Sequence, residues 1–214
     1  MEKKVDLKEM STKQRIGYIW DYYKWHIIGS VLAVCIVGSV LHHFITYRNP
    51  LLNVIMINAD SSSVQPDSFR EFQEAYGYDL TDSPVSASTF YFPDGDNAFA
   101  SSYMDYQALT AIIAAGNQDI FLGNGDTYLN YCDQGALMDL SDVLSPAQME
   151  EYADSLIYST VGGTQEPYPC AIDLSGHPWL AQFGYTDTCY FGILSCYQSL
   201  DACTQFAEFL LTYE

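Results

Sequence analysis

The chain has 214 residues, with 27 Asp and Glu against eight Lys and Arg, a formal charge of −19 at pH 7. Apolar residues make up 49% and aromatic residues 15%, a content that excludes intrinsic disorder and provides for one globular domain. The charge is unevenly placed: residues 49–214 hold 23 of the acidic side chains and one basic one, Arg70, so this part repels phosphate backbones and nucleic-acid binding is excluded.

Taken in order, MEKKVDLKEM (1–10) reads as a solvated tail. Ser11 followed by Gln14 has the spacing of a capping box, and Ile16, Trp20, Tyr23 and Ile27 follow at helical intervals, which predicts an interfacial helix over 12–25. From Ile27 to Tyr47 the sequence IIGSVLAVCIVGSVLHHFITY is apolar, and no charge falls between Lys24 and Arg48. About 20 residues at 1.5 Å each cross a hydrocarbon core of ~30 Å, and lipid requires the backbone to bond internally, so this run is expected to be a transmembrane helix.

Six basic residues, Lys3, Lys4, Lys8, Lys13, Arg15 and Lys24, precede the run, whereas only Arg48 and Arg70 follow it. Basic flanks stay on the cytoplasmic side, which places residues 1–26 inside the cell membrane and 48–214 outside it. Tyr18, Trp20, Tyr22, Tyr23 and Trp25 crowd the inner boundary and Tyr47 the outer, as rings with one apolar and one polar end favour the headgroup level. Three alternatives account for the run less well. A cleaved signal peptide needs small residues where His42, His43 and Phe44 stand. A lipid-modified Cys35 needs a small residue where Val34 stands. A buried helix of a soluble protein leaves the charge asymmetry unexplained.

After Asn49 and Pro50, LLNVIMINA (51–59) is a nearly continuous apolar run, the pattern of a central strand covered on both faces. Pro66 and Asp67 open a short helix through FREFQEAYG, closed at Gly77. SASTFYF (86–92) reads as a second strand, 98–115 as a helix with Tyr106, Leu109, Ile112 and Ile113 on one face, and DIFLGN (119–124) as a third strand. This alternation predicts parallel βαβ units with helices on both sheet faces. Further on, 126–131 is expected to make a helical turn, GALMDLSDVL (135–144) a surface segment, and a helix is expected from Pro146, capped by Ser145, to Tyr158. VGGTQ (161–165) is a loop, EPYPCAIDLS holds a fourth strand, DTCYFGILS (187–195) a fifth, and a last helix runs from Leu200 to Thr212.

Five cysteines, Cys132, Cys170, Cys189, Cys196 and Cys203, follow the span. An extracytoplasmic compartment permits disulfides, and Cys170 and Cys189, on two predicted strands, are one candidate pair; buried free thiols acting as small hydrophobes are the alternative. No CxxC occurs, and the spacings match no zinc motif.

The stretch DYQALTAIIAAGNQDIFLGNGDTYLNYCDQGALMDLSDVL (105–144) resembles the middle of bacterial extracellular solute-binding proteins of transport systems. There a helix ending in Ala-Ala-Gly leads to a short strand carrying Asp-Ile, then to a helix and a Gly-x-Leu-x-Asp-Leu segment. CYFGILSCYQSLDACTQFAEFLL (189–211) is similar to the late strand and helix of that family, and the leader IWDYYKWHIIG (19–29) resembles that of membrane-anchored proteins of Gram-positive bacteria that carry such a domain outside. The resemblance implies an α/β fold: an N-terminal transmembrane helix (27–47), then a single-lobe, mostly parallel, doubly wound sheet like periplasmic-binding-protein domains (48–214). The chain departs from the family in having room for one lobe instead of two, and in a transmembrane tether instead of a lipid-modified cysteine.

No GxSxG, HExxH, P-loop or GxGxxG motif occurs, and beyond the membrane region the only histidine is His177, with no nucleophile at a meaningful spacing; the chain is expected not to be an enzyme and to need no cofactor. PDGDN (93–97) and GNGDT (123–127) carry carboxylates but lack the calcium-loop pattern, and turn chemistry explains them without a metal. In open α/β sheets ligands lie beyond the carboxyl ends of strands. Those ends are Asn58 and Asp60, Asp94, and Asn124 to Asp126, with Tyr128 and Trp179 as an aromatic platform. The expected function is non-catalytic recognition of a small molecule or peptide. The alternative is a lobe that has lost its ligand and serves as a scaffold for another envelope protein.

Overall fold

The computed structural model describes residues 12–46, 48–92, 102–160 and 166–213. The tail 1–10, the Ser11 cap, Tyr47, the PDGDN loop with Asp94, and VGGTQ lie outside the described residues. The chain divides into two compact units, residues 1–47 and 48–214.

In the first unit a single helix, α1 (Thr12–Thr46), joins the expected interfacial segment and the span without a break. Tyr23–Phe44, 22 residues, is long and apolar enough to cross a membrane, and none of it is buried against protein. Trp25, Leu32, Val34 and Phe44 are exposed large apolar residues along this helix.

The second unit is built on one six-stranded sheet: β1 (Leu52–Ile57), β2 (Val85–Phe90), β3 (Ile120–Gly123), β4 (Leu156–Ser159), β5 (Tyr168–Asp173) and β6 (Tyr190–Ile193). Their order across the sheet is β2-β1-β3-β6-β5-β4. β1 pairs in parallel with β2 and β3, as the alternation of elements predicts, while β3–β6, β6–β5 and β5–β4 are antiparallel. Four strands, β1, β2, β3 and β5, thus share one direction, and β4 and β6 oppose them. Running between two partners, β1 has five of six residues buried, which is why its sequence carries no polar alternation. Gly123 ends β3 beside β1, where a Cβ would lie 2.6 Å from that of Ile57; only a glycine lets the two strands meet there.

Alternate residues divide the core in two. On one face Leu52, Val54, Met56, Leu122 and Phe191 meet Phe72 of α2 (Arg70–Ala75) and Phe206 and Leu210 of the last helix, Leu200–Thr212. On the other, Ile55, Ile57, Phe121 and Ala171 meet Leu109 of α3 (Tyr103–Ala114) and Tyr128, Tyr131 and Cys132 of α4 (Gly125–Asp133). The sheet is therefore covered by helices on both faces. The helix expected from Pro146 begins as predicted, with Ser145 and Gln148 forming a full capping box, but α5 (Pro146–Glu151) stops early. Its expected second half is a 3₁₀ turn and the edge strand β4. The terminal helix, α6 hereafter, follows its expected bounds.

All six cysteines are unpaired thiols. Cys170 packs in the core on the α4 face and Cys189 in the core on the α6 face, so the sheet itself separates the expected pair.

Candidate functional site

β1 delivers Asn58 to the carboxyl edge of the sheet in a left-handed conformation, φ 59°, which asparagine tolerates better than most residues. From there its side chain bridges three strand ends. Its amide nitrogen donates to Asn124 Oδ1 (2.9 Å), and its Oδ1 accepts the Phe92 backbone N–H (2.7 Å). Its own N–H donates to Phe90 O (2.8 Å). Asn124 continues the chain, donating to Thr188 O (3.4 Å) in the loop that enters β6. Asn58 and Asn124, both expected at the site, are thus brought together, and each uses its polar atoms on the protein itself.

Asp60 lies two residues further and is exposed. Its carboxylate accepts the Ser62 N–H (2.9 Å) and the hydroxyls of Ser62 (2.7 Å) and Ser63 (3.1 Å). The Ser62 hydroxyl and N–H, then the Ser63 hydroxyl, hold this carboxyl below the usual carboxylate range. The Asp60 N–H donates to Phe183 O (2.8 Å), and Gly184, φ 89°, lets the two loops approach: a Cβ on it would lie 3.3 Å from that of Asp60. Beneath them the Tyr185 hydroxyl donates to Ile57 O (2.7 Å). Asp126 is exposed in the first turn of α4, where a negative charge complements the helix dipole.

The two aromatic side chains expected as a platform are packed inward, one in each core. Tyr128 is 0% exposed; it stacks on Phe121 with ring centroids 4.7 Å apart and donates to Phe121 O (3.3 Å). Burial raises its phenol well above the ordinary tyrosine value. Trp179 is 2% exposed, with the rings of Phe69, Phe183, Phe206 and Phe209 all within 6 Å between centroids. As packed, neither offers a ring face to a ligand. Tyrosine and tryptophan at a strand end look alike in sequence whether they line a cleft or cap a core, and only the packing separates the two.

Sequence reasoning passed over two carboxylates. Asp173 ends β5 opposite Tyr190 of β6, whose phenol is raised by burial first, then by the charges of Asp173 and Asp126. Its signal, an Asp closing an apolar strand, is the one that marked Asp60. Asp119 is buried at the opposite edge of the sheet. It accepts the N–H groups of Asn53 (2.8 Å) and Gln198 (2.6 Å), tying the start of β3 to β1 and to the segment before α6. His177 contacts the Leu210 carbonyl through Nε2 (2.8 Å) and lies against Tyr213.

Among the described residues no group of three His, Cys, Asp or Glu is placed to hold a metal ion. A cavity of about 290 Å³ lies between α5 and α6, lined among others by Leu144, Gln148, Thr204, Ala207 and Glu208, and by none of the strand-end residues. It falls just short of the ~300–1,000 Å³ of small-molecule pockets. The molecule is thus an acidic α/β domain that follows an apolar helix of membrane-spanning length. The chain matches no family model, no curated protein and no solved structure.

Proposed function

We propose that this chain is a single-pass membrane protein, N-terminus cytoplasmic, that displays a non-catalytic recognition domain outside the cell, and that the domain binds another protein of the envelope. What carries the reading is the satisfied state of the strand ends: Asn58 and Asn124 bond each other and backbone, Asp60 is engaged by two serines, and Tyr128 and Trp179 are core. A small-molecule site needs convergent polar groups over an open apolar floor, and the polar groups here converge on the protein itself. The likeness to solute-binding lobes draws support from the β1–α2–β2–α3–β3 run, parallel and covered on both faces. In this reading a lobe of that kind has kept its scaffold and exchanged an enclosed ligand for a protein surface.

Binding of a small molecule is the second reading, favoured by the exposed carboxylates of Asp60, Asp126 and Asp173 at one edge of the sheet. Thermal shift of the full chain in detergent micelles, against sugars, amino acids, peptides and calcium, separates the two. A true ligand at about 100 times its Kd adds roughly 2.7 kcal/mol, a rise of about 5–10 °C for a domain of this size. Such a rise, lost in Asp60→Asn or Asp126→Asn, overturns the protein-partner reading. That reading instead expects no shift, together with one discrete adduct when a photo-crosslinking residue replaces Asp126 in intact cells.

A further inference from the structure

Cys132 and Cys170 meet where three elements converge on the α4 face. Cys132 lies in the last turn of α4, and its carbonyl accepts the Ser159 hydroxyl of β4 (2.7 Å). Cys170 lies in β5, opposite the point where the β4–β5 register slips: Ile157 faces Ala171, Tyr158 faces Pro169, and Cys170 is the extra residue between them. A bulge of this kind re-aims the side chain it carries. The Cys170 thiol contacts Ile157 O (3.4 Å), and both thiols are buried in one cluster, close enough for each to shift the ionisation of the other. The other thiols have different surroundings: Cys196 Sγ contacts Gln118 O (3.4 Å), and Cys189 and Cys203 pack on the far side of the sheet.

We propose that Cys132 and Cys170 are joined by a disulfide in the mature protein, pinning the end of α4 to the bulge of β5. The inference rests on the extracytoplasmic placement proposed above, since that compartment sustains disulfides. The bond forms by thiol–disulfide exchange. The thiolate of one cysteine attacks an external disulfide, of the oxidised-glutathione or thiol-oxidoreductase class, releasing one external thiolate; the second cysteine thiolate then attacks the protein sulfur of the mixed disulfide and releases the other. The two thiols lose two protons and two electrons as the Sγ–Sγ bond forms, and the external disulfide is reduced to two thiols. Because Cys170 is unpaired in the ladder, the bond closes at a position where the strand already departs from regular pairing. Buried thiols of this kind are oxidised as the chain folds, before the cluster closes over them.

Peptide mass spectrometry of the full chain tests this in two arms. In the first, cells are quenched in acid and alkylated before the protein is purified; a linked pair of peptides carrying Cys132 and Cys170, lighter by two hydrogens than the separate thiols, is the expected result. In the second, purified reduced protein in detergent is refolded in a glutathione redox buffer, and the same linkage is expected, with Cys189 and Cys203 alkylated only after denaturation. Reductant is expected to lower the melting midpoint of the oxidised protein by about 5–10 °C and to leave that of Cys132→Ala/Cys170→Ala unmoved. Free thiols at both positions in the second arm, or linkage of either to another cysteine, overturn the geometric assignment. Linkage in the second arm without it in the first overturns the disulfide in the mature protein and locates the fault in the compartment.

Discussion

Asn58 does at one position what usually takes several: it turns the chain through a left-handed conformation and bonds two other strand ends. Asn58→Gly keeps the turn and removes both side-chain bonds, whereas Asn58→Ala removes the bonds and strains the turn as well. Freeing the Phe92 N–H and the Asn124 carbonyl oxygen costs about 1–3 kcal/mol, so both variants are expected to unfold at lower denaturant, with Ala the worse of the two. Equal midpoints would show that the conformation contributes nothing. Gly123 is the steric counterpart. Gly123→Ala places a methyl within 2.6 Å of the Ile57 Cβ and is expected to destabilise by about 1–3 kcal/mol, read by the same denaturation. Asp60 and Asp79 both contribute a pH dependence, and Asp60 is the one at the strand ends. Its folded carboxyl titrates below the unfolded one, so its contribution is present above the unfolded pKa and is lost as pH falls through the folded pKa. An NMR titration is expected to show Asp60 protonating below ordinary aspartates, and Ser62→Ala/Ser63→Ala to return it toward them.

At the scale of elements, legibility followed the number of neighbours an element has. β1 and β3, covered on both faces, stand out as nearly continuous apolar runs, and α6 shows a full helical stripe. β4 did not, because LIYS at the sheet edge is four residues long and directly continues a well-capped helical start. The antiparallel half of the sheet was hidden for a related reason: strand direction is set by connections, and the segments between β3 and β6 carry little periodicity. Of the site, Asn58 and Asn124 were legible as strand ends, but their mutual bond was not, since no sequence spacing reveals a contact across 66 positions. Asp119 was missed because an acidic residue opening a strand ordinarily faces water. Buried with two N–H partners, it holds the amino edge of the sheet, and Asp119→Ala is expected to cost about 3 kcal/mol. Hydrogen exchange would locate the damage: the Asn53 and Gln198 amides should lose protection first, and uniform loss across the sheet would deny Asp119 this local role.

For the whole molecule, the charge asymmetry and the apolar helix make one joint prediction about placement. Bilayers retain Lys and Arg flanks on the cytoplasmic side whatever the charge of a distal domain, because acidic residues contribute little to orientation. The six basic residues before the span should therefore decide the matter, and the acidity of residues 48–214 should not. With Cys35→Ala and Cys196→Ser removing the exposed and half-exposed thiols, a single reporter can be introduced at Asp201→Cys, on the exposed side of α6, or at Lys4→Cys in the tail. In intact cells a membrane-impermeant maleimide is expected to label the Asp201→Cys protein and to spare the Lys4→Cys protein until the membrane is opened. Replacing the six basic residues with Gln should then reduce labelling at the Asp201→Cys position, as part of the population inserts the other way. Labelling reversed between the two reporters would place the domain in the cytoplasm. It would remove the basis for an envelope partner and for the disulfide in cells, while leaving the geometry of the strand ends as it stands.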